Sequence, residues 1–120
     1  MGNRACVVFF DQTTVSPTVY LHWHGDCVPA WLDQLNDRMN GRFSDASYAA
    51  ARFVGLCHAD IDGNLRLGIS SNDLSQADVR SADRMDEVSP GDAGVVVVDT
   101  SDFTWKAYGG YLANNDRRQP

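Results

Sequence analysis

Four consecutive valines, Val95–Val98, constrain the fold of this chain more than any other feature. A strand that is apolar on both of its faces is typical of a strand covered by other structure on both sides. A second short run rich in Val and Phe, Ala5–Phe10, also predicts a buried strand. The 120 residues suffice for one domain that folds without a metal or a disulfide. We therefore expect a single domain over 1–120, with a frayed tail at 115–120.

Alternation of apolar and polar residues predicts three further strands, because successive side chains of a strand point to opposite faces. These strands are Thr18–His24, Leu65–Ile69 and Phe103–Tyr108. Short polar loops join the first two strands of the chain and the last two, so each pair is expected to form a hairpin.

Two segments have the spacing of amphipathic helices. Pro29 suits the first turn of a helix that would end near Gly41, and Ser44 is the expected N-cap of a second helix. Residues 70–94 contain few apolar side chains, and only a short helix over Ala77–Met85 is expected there. The predicted fold is an α+β domain in which an antiparallel sheet of about five strands, in the order ββααβ…ββ, has two helices packed on one face.

The charge of the chain is unevenly distributed. The formal net charge is −6, and residues 60–102 hold ten acidic and three basic residues, a net charge of −7. Such a balance argues against direct binding of nucleic acid or of an anionic membrane surface. So many carboxylates cannot all be buried, and an exposed negative field attracts basic surfaces, including those that normally hold phosphates. The alternative is a solvated acidic face that serves solubility.

We therefore expect the binding site for a basic partner protein in this acidic segment. Its candidate residues are Asp73, Asp78, Asp83, Asp86, Glu87 and Asp92.

Histidine and cysteine residues suggest a different chemistry. His22 and His24 would share one face of a strand, and Cys27 follows three residues later, so the three could ligate zinc. Cys27 also precedes a helix start, where a thiolate is stabilised, and could act as a nucleophile beside a histidine. Cys6 and Cys57 lie in apolar patterns and are expected in the core. Without a Cys-x-x-Cys pair or an oxyanion-hole motif, we expect no catalytic residue, no metal ligand and no cofactor.

The first residues do not have the pattern of a signal peptide, because the apolar run that ends at Phe10 is short and Asp11 interrupts it. No apolar run is long enough to span a membrane. Three cysteines at wide spacing do not form a disulfide framework. These features are typical of a reduced cytoplasmic protein.

Several short motifs carry a resemblance to a known family. They are Asn3-Arg4-Ala5 with the following Cys-Val-Val-Phe, Val19-Tyr20-Leu21-His22-Trp23-His24-Gly25, Asn64-Leu65, and Gly94 with the valines after it. In this pattern the chain resembles a family of small proteins found in phages, prophages and proteobacterial mobile elements. The resemblance covers most of the first hundred residues and transfers no catalytic residue.

The resemblance implies a setting in which small acidic proteins block host defence, as anti-CRISPR proteins do. The leading hypothesis is a non-enzymatic acidic protein that acts in the host cytoplasm as a DNA mimic. Its partner would be a basic nucleic-acid-binding host protein, with a CRISPR effector complex as the first candidate. One alternative is a metal-binding protein or a Cys/His enzyme that uses His22, His24 and Cys27. The other is a structural or regulatory protein that self-associates through an exposed strand edge.

Overall fold

One five-stranded sheet organises the domain. The computed structural model describes residues 3–39, 44–60 and 67–115. The strands are β1 (Ala5–Phe10), β2 (Thr18–Leu21), β3 (Leu67–Ser70), β4 (Gly94–Asp99) and β5 (Thr104–Tyr108). The helices are α1 (Val28–Arg38), α2 (Ala46–Asp60), α3 (Gln76–Val79) and α4 (Ala82–Val88), and 3-10 turns occupy Gly25–Cys27 and Tyr111–Asn115. The fold is therefore a mixed α+β domain.

The sheet is mixed rather than antiparallel, which corrects the sequence-based prediction. The strand order is β3-β2-β1-β4-β5, and β1 pairs parallel with β4, with Ala5 opposite Gly94 and Phe10 opposite Asp99. The other three pairs are antiparallel. After β3 the chain crosses over through α3 and α4 and returns beside β1 in the same direction, as parallel pairing requires. Hydrophobic alternation carries no information about strand direction, so the sequence pattern could not show this pairing.

Both faces of the central strands are buried, as the four valines predict. Val96 and Val98 pack with the core residues of α1 and α2. Val95 and Val97 pack on the opposite face with Val79 of α3 and Met85 of α4. The two expected helices, α1 and α2, pack on one face, but the prediction lacked the second layer on the other face. The polar segment 70–94, which has little hydrophobic periodicity, provides the second helical layer.

Helix α1 begins close to its predicted start and packs firmly on the sheet. Pro29 lies in its first turn, and Trp31 and Leu35 are buried against the sheet. The Trp31 Nε1 donates a hydrogen bond of 2.8 Å to Asp60 Oδ2, which ties α1 to the end of α2. The predicted helix stop at Gly41 lies outside the described residues.

Asp45 caps α2 in place of Ser44, which was the expected N-cap. The Asp45 Oδ1 accepts a hydrogen bond of 3.1 Å from the backbone N–H of Tyr48. Ser44 has a φ of 64°, which points its backbone away from the capping geometry. A second carboxylate, Asp11, accepts the backbone N–H of Ala46 at 2.9 Å. The first turn of α2 is thus held by one local carboxylate and by one from the loop after β1.

Two predicted boundaries fall partly outside the described residues. The predicted start of the third strand at Leu65 is outside them, and the described strand β3 covers Leu67–Ser70. Of the expected tail 115–120, residues 116–120 are also outside them, whereas Asn115 ends the final 3-10 helix. The last strand begins at Thr104 and not at Phe103, which has a φ of 55° in the preceding turn.

Candidate functional site

Two serines divide the acidic segment into two short helices. The Ser75 Oγ accepts the N–H of Asp78 at 3.1 Å, and the Asp78 carboxylate accepts the N–H of Ser75 at 2.9 Å, which completes a capping box. Ser81 caps α4 by accepting the N–H of Arg84 at 3.2 Å. The single helix expected over Ala77–Met85 is therefore interrupted at residues 80–81, where the second cap begins.

One apolar side chain from each helix fixes the orientation of this layer. Val79 and Met85 are both fully buried, and they pack in one cluster with Val8 and Val95 of the sheet. A helix this short has only one face to bury, so its charged side chains must point to solvent. The anchoring of Val79 and Met85 therefore presents the carboxylates outwards.

Five of the six predicted binding residues lie on this layer, and we call them the acidic α3–α4 surface. Asp73, just before α3, has a side chain that is 94% exposed, and Asp83, Asp86 and Glu87 on α4 are exposed. Asp78 is half-buried because it belongs to the capping box. The members of the surface are Asp73, Asp78, Asp83, Asp86 and Glu87.

Arg84 partly neutralises the acidic α3–α4 surface. Its guanidinium lies 3.3 Å from the Glu87 carboxylate, 3.8 Å from Asp73 and 3.9 Å from Asp78. One cation shared by three carboxylates at a solvated surface contributes little to stability. Residues 73–88 contain five acidic residues and two arginines, so their net charge is −3. The surface therefore remains negative after its internal pairs are counted.

The second arginine of this segment is engaged elsewhere. The Arg80 guanidinium lies over the ring of Phe10, 4.6 Å from the ring centroid. Such a cation–π contact holds the Arg80 side chain against Phe10 at the end of β1.

The pKa of Asp78 is lowered by its place in the helix cap. The backbone hydrogen bond from Ser75 stabilises the carboxylate and lowers the pKa of Asp78 below its usual value, and the nearby Arg84 acts in the same direction. The helix cap therefore favours the ionised form of this residue.

The sixth predicted binding residue, Asp92, has a different environment. It lies in the turn before β4, where its carboxylate accepts hydrogen bonds from the Arg4 side chain at 2.9 Å and the Arg4 backbone at 3.2 Å. This partner lowers the pKa of Asp92. Because Asp92 is tied to the residue that precedes β1, we leave it out of the acidic α3–α4 surface.

The histidines do not share a strand face in the structure, contrary to the alternation in the sequence. Strand β2 ends at Leu21, and His24 has a left-handed backbone with a φ of 70°. The backbone N–H of Gly25 donates to Asn3 O at 2.8 Å, which turns the chain away from the sheet. His22 is exposed, and its ring meets Trp23 edge-on with 4.8 Å between centroids.

The cysteine environments oppose a reactive thiolate. Burial raises the pKa of the Cys27 thiol, and the carboxylates of Asp26 and Asp60 raise it further. Asp26 directly precedes Cys27, but the proximity of Asp60 was not visible in the sequence, which indicated stabilisation of the thiolate by the helix start. Burial raises the pKa of Cys57 to about 12. Cys6, half-buried beside a crevice of about 100 Å³, also has a raised pKa because of burial.

No metal site can be assembled from the described ranges 3–39, 44–60 and 67–115. Within them, no group of three or more His, Cys, Asp or Glu side chains could hold a metal ion. His22, His24 and Cys27 are part of these ranges, so their predicted use as a ligand set has no geometric support.

A groove of about 540 Å³ between α1 and α2 has the opposite charge to the acidic α3–α4 surface. Its lining includes Arg38 and Arg52, with Leu35 and Leu56 along its apolar part. The Arg52 guanidinium lies 5.1 Å from the centroid of the Tyr48 ring. The lining of this groove is thus positive, whereas the α3–α4 surface is negative, although nothing in the sequence pattern distinguished these arginines from ordinary solvated ones.

Comparisons with protein-family models, with curated proteins and with solved structures give no match to this chain. The resemblance to the family of small phage proteins therefore stays a prediction. In the described part of the chain, no helix is both long enough and apolar enough to cross a membrane.

Proposed function

We propose that this chain is a non-enzymatic interaction protein that binds a basic surface of a nucleic-acid-binding partner and blocks it. The contact would be made by the acidic α3–α4 surface. The observation that carries the proposal is the placement of four carboxylates on two short helices whose apolar side chains are fixed in the core, with Asp73 just before the first helix. Such a rigid negative surface can occupy a groove that otherwise holds phosphates.

The charge balance of the surface supports a partner rather than an internal role. Asp83 and Asp86 are exposed on α4, and Glu87 keeps 68% of its side chain exposed despite its contact with Arg84. Carboxylates that only stabilised the fold would be consumed in caps and pairs, as Asp78 and Asp92 are. The exposed carboxylates of α4 are therefore the centre of the proposed contact.

The choice of partner rests on the family resemblance. Small acidic proteins of phages and mobile elements include inhibitors of CRISPR effector complexes, whose nucleic-acid channels are basic. We therefore propose such a complex as the first partner to test, with inhibition of target-DNA binding in the host cytoplasm as the activity. Other basic DNA- or RNA-binding host proteins belong to the same proposal.

The test measures target-DNA binding by a purified, guide-loaded CRISPR effector complex in the presence of this chain. Fluorescence anisotropy of a labelled DNA duplex reports the inhibition constant at several salt concentrations. We expect inhibition to weaken about tenfold or more between low and physiological ionic strength, because screened surface charges attract less. Inhibition that does not change with salt would contradict the charge argument.

A matched pair of double variants separates the surface from the overall charge. Asp83→Lys with Asp86→Lys reverses two charges on the acidic α3–α4 surface, and Asp26→Lys with Asp37→Lys reverses two exposed charges elsewhere. Both variants change the net charge from −6 to −2. We expect the first to weaken inhibition about tenfold or more and the second to have a much smaller effect. Equal effects would show that net charge alone matters.

A further inference from the structure

The two edges of the sheet differ in how well they are protected. Strand β5 carries the exposed Lys106, and the final 3-10 helix packs beside it. Lysine side chains and covering elements are the usual protection of an edge strand. Strand β3 contains only Leu67, Gly68, Ile69 and Ser70, and among the described strands it pairs with β2 alone. It has neither a charge nor a proline to discourage pairing with another strand.

Among the described residues, exposed apolar side chains are concentrated near the β3 edge. Ile69 on β3 is 53% exposed, Tyr20 on the neighbouring β2 is 44% exposed, and Trp23 just after β2 is 48% exposed. The fourth large hydrophobic exposed in the described residues, Tyr111, lies in the helix beside β5. Three of the four therefore lie at the β3 end of the sheet, where a partner could cover them.

Gly68 positions one of these side chains across the edge strand. It lies opposite Tyr20 in the β2–β3 pair, and a Cβ at this position would collide with the Tyr20 ring. The ring therefore lies over the backbone of β3. Ile69, next to Gly68, points to the opposite face of the sheet, so exposed apolar side chains flank the outer backbone groups of β3 on both faces.

We propose that β3 of one copy pairs antiparallel with β3 of a second copy, so that two sheets join across a two-fold axis. An edge strand presents unpaired N–H and C=O groups that a second strand satisfies. Two-fold pairing sets each strand against an identical uncharged one, so no like charges face each other. Helix α4, which carries Asp83, Asp86 and Glu87, packs over β4 and β5 at the other end of the sheet, so the carboxylates of α4 stay apart in the dimer.

The exposed area sets the strength of this association. The three side chains leave roughly 300 Å² exposed per copy, since each is about half buried. A stable interface buries about 800 Å² per partner. The pairing of four-residue strands must supply the rest, so we expect a weak dimer that forms at high micromolar concentration and dissociates on dilution.

Sedimentation equilibrium over a wide concentration range tests the proposal. We expect the average mass to rise from 13.2 kDa towards twice that value as concentration increases. Ile69→Lys and Ser70→Lys should each keep the chain monomeric, because a lysine on each β3 places two like charges near the two-fold axis. Gln34→Lys on α1, which adds the same charge at an exposed position, should dimerise like the wild type.

The outcomes are distinct. A wild-type mass that stays at 13.2 kDa at the highest concentration overturns the proposal, and so does dimerisation of both β3 variants. Ser70 is exposed, so its variant keeps the test valid if Ile69→Lys fails to fold. The association should persist at high salt, where the proposed partner binding weakens, so the failure of one proposal does not imply the failure of the other.

Discussion

Replacing Asp11 with asparagine should destabilise the fold more than the same change at Asp99, the aspartate that ends β4. The side chain is 7% exposed and follows β1 directly. Its Oδ1 accepts the backbone N–H groups of Thr13 at 2.9 Å and Thr14 at 2.7 Å, and its Oδ2 accepts that of Ala46 at 2.9 Å. One carboxylate therefore shapes the loop after β1 and holds the first turn of α2.

The magnitude follows from these three hydrogen bonds. Asparagine keeps one oxygen for the loop but turns an NH₂ group towards the N–H of Ala46, so that two donors face each other. The loss of one bond to a charged acceptor costs about 2 kcal/mol, and the two loop bonds weaken when their acceptor becomes neutral. We expect a total loss of about 3 kcal/mol in the free energy of unfolding, or roughly 10 °C in Tm for a chain of this length.

The effect should depend on pH. Burial disfavours the ionised form of Asp11, but the backbone hydrogen bonds from Ala46, Thr13 and Thr14 outweigh it and lower the pKa of the carboxyl. A pKa that is lower in the folded state stabilises the protein above the unfolded value of about 3.9, and this contribution is lost as the pH falls through the folded value. The difference between wild type and variant should therefore be largest near neutral pH and shrink below about pH 4.

Urea denaturation of both proteins at neutral and acidic pH provides the measurement. Asp99→Asn is the matched control, because Asp99 also ends a strand and accepts the N–H of Ser101 at 3.0 Å, but its hydrogen bonds stay within its own turn. We expect the control to lose less than about 1 kcal/mol. If the two variants lose the same stability, the link from Asp11 to α2 does not carry the energy assigned to it.

The remaining predictions concern a helix cap and the thiols. Ser75→Ala removes the cap of α3 and should cost about 1 kcal/mol in urea denaturation, whereas Ser71→Ala, at an exposed position before the helix, should cost little. Cys57 and Cys27, whose pKa values are raised by burial, should react with iodoacetamide at neutral pH far more slowly in the folded protein than in urea. Mass spectrometry should find Cys57 the slower of the two, and alkylation of Cys27 at the rate seen in urea would contradict the burial argument.

The central strands were predictable because their signal is local. Val95–Val98 showed that both faces of a strand must be covered, and Ala5–Phe10 showed a second buried strand. The covering helices were harder to see, because α3 and α4 bury only Val79 and Met85 fully. Hydrophobic periodicity needs several turns to become visible, whereas the Ser-x-x-Asp pattern of a capping box was present in the sequence and could have located α3.

The histidine hypothesis failed for a reason that alternation cannot reveal. The sequence alternates through His24, but β2 ends at Leu21, which lies opposite Ala5 at the beginning of β1. Beyond that point the chain bends, and Gly25 packs so tightly against Asn3 O that a Cβ would not fit. A tertiary contact between two distant segments therefore decides where the strand ends and where the imidazoles point.

The acidic residues also show what sequence-based prediction cannot decide. Sequence counting locates the charge but does not separate carboxylates that are used by the fold from those that are available to a partner. The structure assigns Asp92 to Arg4 and Asp78 to a helix cap, while Asp83 and Asp86 stay exposed on α4. The centre of the charged contact, on α4, lies over β4 and β5, and the proposed apolar contact lies at β3, the opposite end of the sheet. Salt weakens the charged contact and leaves the apolar contact intact. A dimer that blocks its partner at low salt would therefore present two acidic surfaces at once. Its avidity would depend on protein concentration as well as on ionic strength.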